Sequence, residues 1–249
     1  MAIRNTLLQS ISIVFLLAFS SLAQTVLTID DIGIEVTSSS RVFSFTNKAF
    51  GQYHGETNSQ SVDGWRGWFF QEQNIFKDYS ISQDNIPLPR ETSKCTVFPH
   101  TLKRIYPSGI IEQFVFADSI DYVGILLSGL NKSITFTLKD FGFDSSFSVN
   151  ANSTVIYSSS LPPSYCLLFT SQNSSHAILT NNRALSIVIN SPDGKYEIGL
   201  RIIKINATVF PETSFTEIMM KKRDRINSIF DRAREPQPKQ SNTLGGRFA

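Results

Sequence analysis

The sequence predicts an all-β protein, a large antiparallel β-sandwich followed by a C-terminal linker helix. Short apolar runs with strand character recur about every ten residues from residue 68 to 210. Turn signals separate them, and no helical crossover stands between any two, which argues against a βαβ fold. Composition agrees, because 20 phenylalanines and abundant serine, threonine and asparagine favour strands and turns over helices. The formal charge of +2 excludes a whole-molecule field that would attract nucleic acid.

The chain opens with Arg4, an apolar run over residues 11–19, then small residues at Ser21 and Ala23. That order is expected of a secretory signal peptide at 1–23, cut before Gln24, with the mature chain secreted or periplasmic. A membrane anchor is the competing reading, but the apolar run is short for a bilayer and no second one follows. No membrane contact is expected after cleavage.

The sandwich is expected over 24–212. Residues 25–36 alternate through Val26, Ile29, Ile32, Ile34 and Val36 as one or two strands, and Val42, Phe43 and Phe45 begin another. The polar segment 51–63 breaks the pattern and reads as a surface loop. It leads into residues 63–81, DGWRGWFFQEQNIFKDYSI, the most aromatic stretch of the chain. Glycine beside tryptophan lets the chain turn tightly while a flat ring projects. Strands are then expected at 76–81, 95–98, 101–106, 110–116, 122–127, 133–138, 147–149, 154–157, 166–170, 177–179, 185–189, 196–203 and 207–210. Tyr106-Pro107-Ser108-Gly109 and Ser191-Pro192-Asp193-Gly194 read as hairpin turns, with proline presetting one φ and glycine taking the unusual one.

The period changes after Pro211. Ser214 and Glu217 form a capping box at the start of a helix over 213–235, with Phe215, Ile218, Met219, Ile226, Ile229 and Phe230 on one face. Lys221, Lys222, Arg223 and Arg225 read as a solvated basic face, not a nucleic-acid site. The polar, Pro- and Gly-punctuated residues 236–249 have the composition of a disordered tail.

No complete catalytic set is legible. His54, His100 and His176 lack metal-ligand spacing, so no metal or other cofactor is expected. There is no G-x-S-x-G elbow and no phosphate-cradling G-x-x-x-x-G-K-[ST]. Glu56, Asp63, Glu72 and Asp78 are candidate paired carboxylates, the chemistry of glycoside hydrolysis, but their separation decides the matter and is not in the sequence. Of Trp65 and Trp68, one reads as core and one as a rim residue whose ring stacks on a sugar. Trp65, Trp68, His54 and Glu72 are the carbohydrate-binding candidates. Cys95 and Cys166 either form a disulfide, which would remove roughly 4 kcal/mol of unfolded-chain entropy, or are two separate buried thiols. Sequons occur at Asn131, Asn152, Asn173 and Asn206.

GWRGWFFQEQNIFKDYSI, then Val97-Phe98-Pro99-His100, Arg104-Ile105-Tyr106-Pro107-Ser108-Gly109 and Ile111-Glu112-Gln113, resembles the N-terminal β-sandwich of bacterial glycogen-debranching-enzyme-like (amylo-α-1,6-glucosidase-type) glycoside hydrolases. The resemblance spans roughly residues 25–235. It implies an α-glucan partner and a catalytic (α/α)6 barrel joined through the helix. This chain contains no barrel, so no catalytic residue carries over. The resemblance thus implies a non-catalytic module that binds carbohydrate or scaffolds a barrel. A self-contained hydrolase and a cell-surface structural or adhesion domain are the alternatives.

Overall fold

The computed structural model describes residues 28–36, 39–48, 51–59, 65–172, 175–181, 184–190, 193–210 and 213–234. The expected signal peptide and tail, Asp63, Asn173 and the first half of the 191–194 turn lie outside the described residues.

Three antiparallel sheets form the sandwich. The largest orders nine strands as β1 (Ile34–Val36), β8 (Lys94–Val97), β9 (Leu102–Ile105), β10 (Ile111–Phe116), β11 (Tyr122–Ser128), β18 (Lys195–Lys204), β15 (Tyr165–Gln172), β14 (Ser153–Ser158) and β13 (Phe143–Asn150). A five-stranded sheet runs β16 (Ser175–Asn181), β17 (Ala184–Asn190), β12 (Ile134–Lys139), β6 (Asp78–Gln83) and β7 (Ile86–Pro87). The third holds β2 (Val42–Thr46), β3 (Gln52–Glu56), β4 (Gly67–Phe70) and β5 (Gln73–Phe76).

Period-two alternation sends one face of each strand into a core shared by all three sheets. Phe114 of β10 is its aromatic hub. Its ring lies 4.5 Å from that of Tyr53, 6.0 Å from those of Phe43 and Phe45, and 6.2 Å from that of Tyr79. The next residue, Val115, faces the other way, toward the helix.

Two expectations about strands fail. Residues 52–56 are strand β3 rather than loop, because Tyr53 and Gly55 are inward while polar Gln52, His54 and Glu56 take the outward parity. Residues 207–210 form no strand; Val209 is exposed and Ala207 closes a turn onto Lys204. The turn at 106–109 is as expected, with the Gly109 amide bonded to Tyr106 and a φ of +84°.

Helix α1 (Phe215–Arg234) covers the outer face of the nine-stranded sheet. Phe215 and Ile218 pack on Val115, Ala117 and Tyr122. A Cβ on Gly124 would stand 3.0 Å from the Phe215 ring and 2.8 Å from that of Tyr122, so glycine makes room for both. Ser214 Oγ accepts from the Glu217 amide at 3.4 Å, one half of the expected capping box. The Glu217 carboxylate pairs with Lys221 instead of closing the box. Glu197 on β18 accepts the Phe215 amide, so the sheet supplies a cap that local sequence did not show.

The helix corrects two further expectations. Lys222 is not solvated: it is buried, donates from Nζ to the Phe116 carbonyl at 2.8 Å, sits 4.6 Å over the Phe45 ring and lies 3.6 Å from Asp118. Nor is the apolar face buried along its length. A 20-residue helix is about 30 Å long; only its early turns cover the sheet, and Ile229 and Phe230 of that face are exposed.

Cys95 and Cys166 are free, buried thiols, so the candidate disulfide is not formed. They belong to β8 and β15, which four strands separate in the sheet order. Strand spacing of about 4.8 Å puts such positions roughly 24 Å apart in a flat sheet, far beyond the about 7 Å limit of a bridge. Burial pushes the Cys95 thiol up to about 11 and raises that of Cys166, which makes both poor nucleophiles.

His100 is buried where α1 meets the 3-10 turn Ile29–Asp31, with Nε2 3.6 Å from Asp30 and Nδ1 without a partner among the described residues. Burial lowers its pKa; Asp30 opposes that shift, while Arg223 and Lys222 reinforce it. Burial also lowers His54 and His176. Since the unfolded chain takes up these protons first, stability should fall as pH drops through the ordinary histidine value near 6.5. Melting temperature is therefore expected to be lower at pH 5.5 than at 7.5, with a smaller drop in His100→Gln. An unchanged drop in the variant would contradict this assignment.

Candidate functional site

The aromatic stretch divides between surface and core. Trp65 is 80% exposed, whereas Trp68 is fully buried against Phe76 and Phe116, so Trp68 faces no ligand and its candidacy is corrected. Gly67 makes the division, with a φ of +109° and an approach so close that a Cβ would lie 1.9 Å from the Phe76 carbonyl oxygen.

His54 pairs with Gly67 in the β3–β4 ladder, which brings it to the Trp65 end of β4. Its ring is engaged on both nitrogens, by Ser44 Oγ at 2.7 Å and Gln52 Oε1 at 3.0 Å, and stands edge-on to Phe69. Glu72 is elsewhere. It occupies the β4–β5 turn at the opposite end of β4, where Gln71 and Glu72 both take positive φ. The structure thus brings Trp65 and His54 to one region and leaves Trp68 and Glu72 out of it.

The acids nearby have structural partners. Glu56 Oε1 accepts from Arg66 Nε at 3.0 Å and Nη2 at 2.9 Å, and Oε2 accepts from Ser40 at 2.8 Å. Asp78 is buried, with both carboxylate oxygens 2.9 Å from Arg90 Nη1. Glu56 and Asp78 are thus each held by an arginine, while Glu72 lies at the far end of β4.

A buried polar network occupies the sandwich interior instead. Glu112 accepts from Arg104, Tyr79 and Tyr106, all four side chains being buried. Arg104 also donates to the Thr57 and Glu56 carbonyls, each at 2.8 Å. The Arg90 guanidinium lies 4.5 Å over the Tyr79 ring. Burial alone would raise the Glu112 carboxyl; the Arg104 and Arg90 charges and the two tyrosine hydroxyls overcome it and hold it below its ordinary value. Sequence reasoning missed these residues. A signal was present: Arg104 has the inward parity of Leu102, and Glu112 that of Phe114.

Among the described residues, no group of three or more His, Cys, Asp or Glu could hold a metal, and no helix is long and apolar enough to cross a membrane. Open cavities among the described residues include two whose lining residues are mostly polar. One, of about 430 Å³, is lined by residues of the β13–β14 turn, β15 and Thr213. The other, of about 560 Å³, lies between β1, the 3-10 turn Arg90–Thr92, β8, and the segments beside Ser40 and Asn58.

No protein family and no curated protein matches the chain. Among solved structures it is similar to a protein described as a kojibiose phosphorylase from the human microbiome, with a TM-score of 0.39 and 12% identity over 80% of this chain and 31% of that one. The chain spans less than a third of that neighbour's length, and a likeness of this size carries no argument about activity.

Proposed function

We propose that the chain is an exported, non-catalytic β-sandwich module that associates with carbohydrate, of the α-glucan-processing glucosidase type, with Trp65 as its sugar-stacking platform. The exposed indole carries this reading. Trp65 is the most exposed large apolar side chain among the described residues, and an exposed aromatic ring suits the C–H face of a sugar. His54 lies near it, and the ties of Glu56 and Asp78 to arginines favour binding over hydrolysis. A scaffolding role toward a catalytic barrel is the second reading, favoured by exposed Ile229 and Phe230 on α1.

Titration with maltooligosaccharides should shift the intrinsic fluorescence saturably, because Trp65 reports binding while Trp68 supplies a constant background. Calorimetric binding should be lost in Trp65→Ala with the melting temperature kept. Absence of any shift, or full binding by the variant, would overturn the platform.

A further inference from the structure

The outermost strand of a sheet presents unpaired backbone donors and acceptors, and proteins blunt such edges with short strands, charges, proline or bulges. Two edges here follow that rule: β1 has three residues, one of them Glu35, and β7 has two, one of them Pro87. β13 does not. It is the longest edge strand, eight residues at one side of the nine-stranded sheet, and β14 is its one strand partner among the described residues. Residues 144–148 are all exposed, and the strand contains neither proline nor lysine. Its pairing with β14 shifts between Phe143 and Ser145 and between Ser148 and Asn150, which leaves the run from Ser145 to Ser148 regular.

Charge and symmetry select the occupant of this edge. Antiparallel pairing of β13 with itself about Phe147 sets Ser146 opposite Ser148, Ser145 opposite Val149 and Asp144 opposite Asn150. The strand's one charge then meets a neutral amide, and no like charges face each other. Phe147 meets itself. Its ring is 46% exposed and lies 6.1 Å from that of Tyr157 on β14, so a two-fold axis here extends the pair into a row of four rings across the seam. Directly opposite residues of an antiparallel pair share a face. This register therefore keeps the Val149 and Tyr157 face of both copies on one side, where it continues the apolar cluster of Val155, Leu168 and Ile203. An unrelated strand would gain the backbone bonds alone, without the ring row or the match of Asp144 to Asn150.

We propose that β13 is a seam between two copies of this chain, an isologous contact that joins two nine-stranded sheets into one. One strand per copy is a small interface, so the association is reversible and depends on protein concentration. The seam does not rest on the carbohydrate reading above.

Sedimentation velocity of the full-length chain over a range of concentrations, together with cysteine cross-linking, tests it. The weight-average mass should rise toward that of two chains, and Phe147→Lys should raise the concentration needed by at least about tenfold, because it sets two ammonium groups against each other. In Phe147→Cys the two thiols face each other across the axis, where opposite Cα atoms lie about 4.5–5.5 Å apart, inside the disulfide range of about 4.4–6.8 Å. Copper–phenanthroline oxidation should therefore give a covalent dimer. In Ser145→Cys the same thiols stand four residues apart along the seam, about 13 Å, and should not cross-link. The native Cys95 and Cys166 are buried and stay out of this reaction. A single-chain mass at every concentration, a dimer that Phe147→Lys leaves intact, or equal cross-linking of the two cysteine variants would each overturn the seam. Should Phe147→Lys fail to fold, the contrast between the two cysteine variants decides.

Discussion

Glu112→Ala is expected to cost about 3–5 kcal/mol, a large part of a domain's total stability of about 5–15 kcal/mol. The loss comes less from the missing contacts than from what they leave behind. Without the carboxylate, Arg104 stays buried with an uncompensated charge, and the Tyr79 and Tyr106 hydroxyls lose their acceptor. Arg104→Met should be at least as damaging, since it also strands the Thr57 and Glu56 carbonyls. Lys132→Ala is the contrasting control. Its ion pair with Asp84 is 2.5 Å long but more than half exposed on both sides, a setting in which pairs contribute about 0–1 kcal/mol. Urea midpoints of the three variants read the difference directly, and a Glu112→Ala midpoint close to that of Lys132→Ala would show that the network does not hold the sheets together. The pH sign follows from the same residues. With the folded carboxyl held below its ordinary value, the stabilisation is present above the unfolded value and is lost as pH falls through the folded one.

Trp68→Ala should destabilise the fold by about 3–5 kcal/mol, while Trp65→Ala should stay within about 0.5 kcal/mol. Trp68 is fully buried, with the Phe76 and Phe116 rings edge-on at 5.9 and 6.3 Å, so its removal opens a cavity between two sheets. Trp68→Phe should be milder than Trp68→Ala. It keeps an aromatic ring in place and removes an indole N–H that has no partner among the described residues. Thermal melts of the three variants, with fluorescence of Trp65→Ala reporting a lone buried indole, separate these outcomes. Equal melting temperatures for the two alanine variants would contradict the division of labour between the tryptophans.

Much of the fold was legible locally. The alternation around Phe114 marked β10, the proline–glycine turn at 106–109 marked its hairpin with β9, and the change of period after Pro211 marked α1. Strand β3 was not legible, because its inward residues are only Tyr53 and Gly55 and its polar outward residues look like loop. The exposed state of Trp65 and burial of Trp68 agree with one rim and one core indole, but which was which depended on Gly67 and the close approach of β5.

By itself the sequence determined most of the strand segments, where the helix begins and which parities are apolar, since these follow from periods of 2 and 3.6 residues within one segment. Tertiary structure alone decided the rest. Register placed Glu112 opposite Arg104, sheet order separated Cys95 from Cys166, and docking of α1 buried Lys222 while β18 lent Glu197 as its cap. Each of these joins residues from different elements, and their meeting is set by pairing and packing energies summed over whole sheets, which no local window of sequence contains.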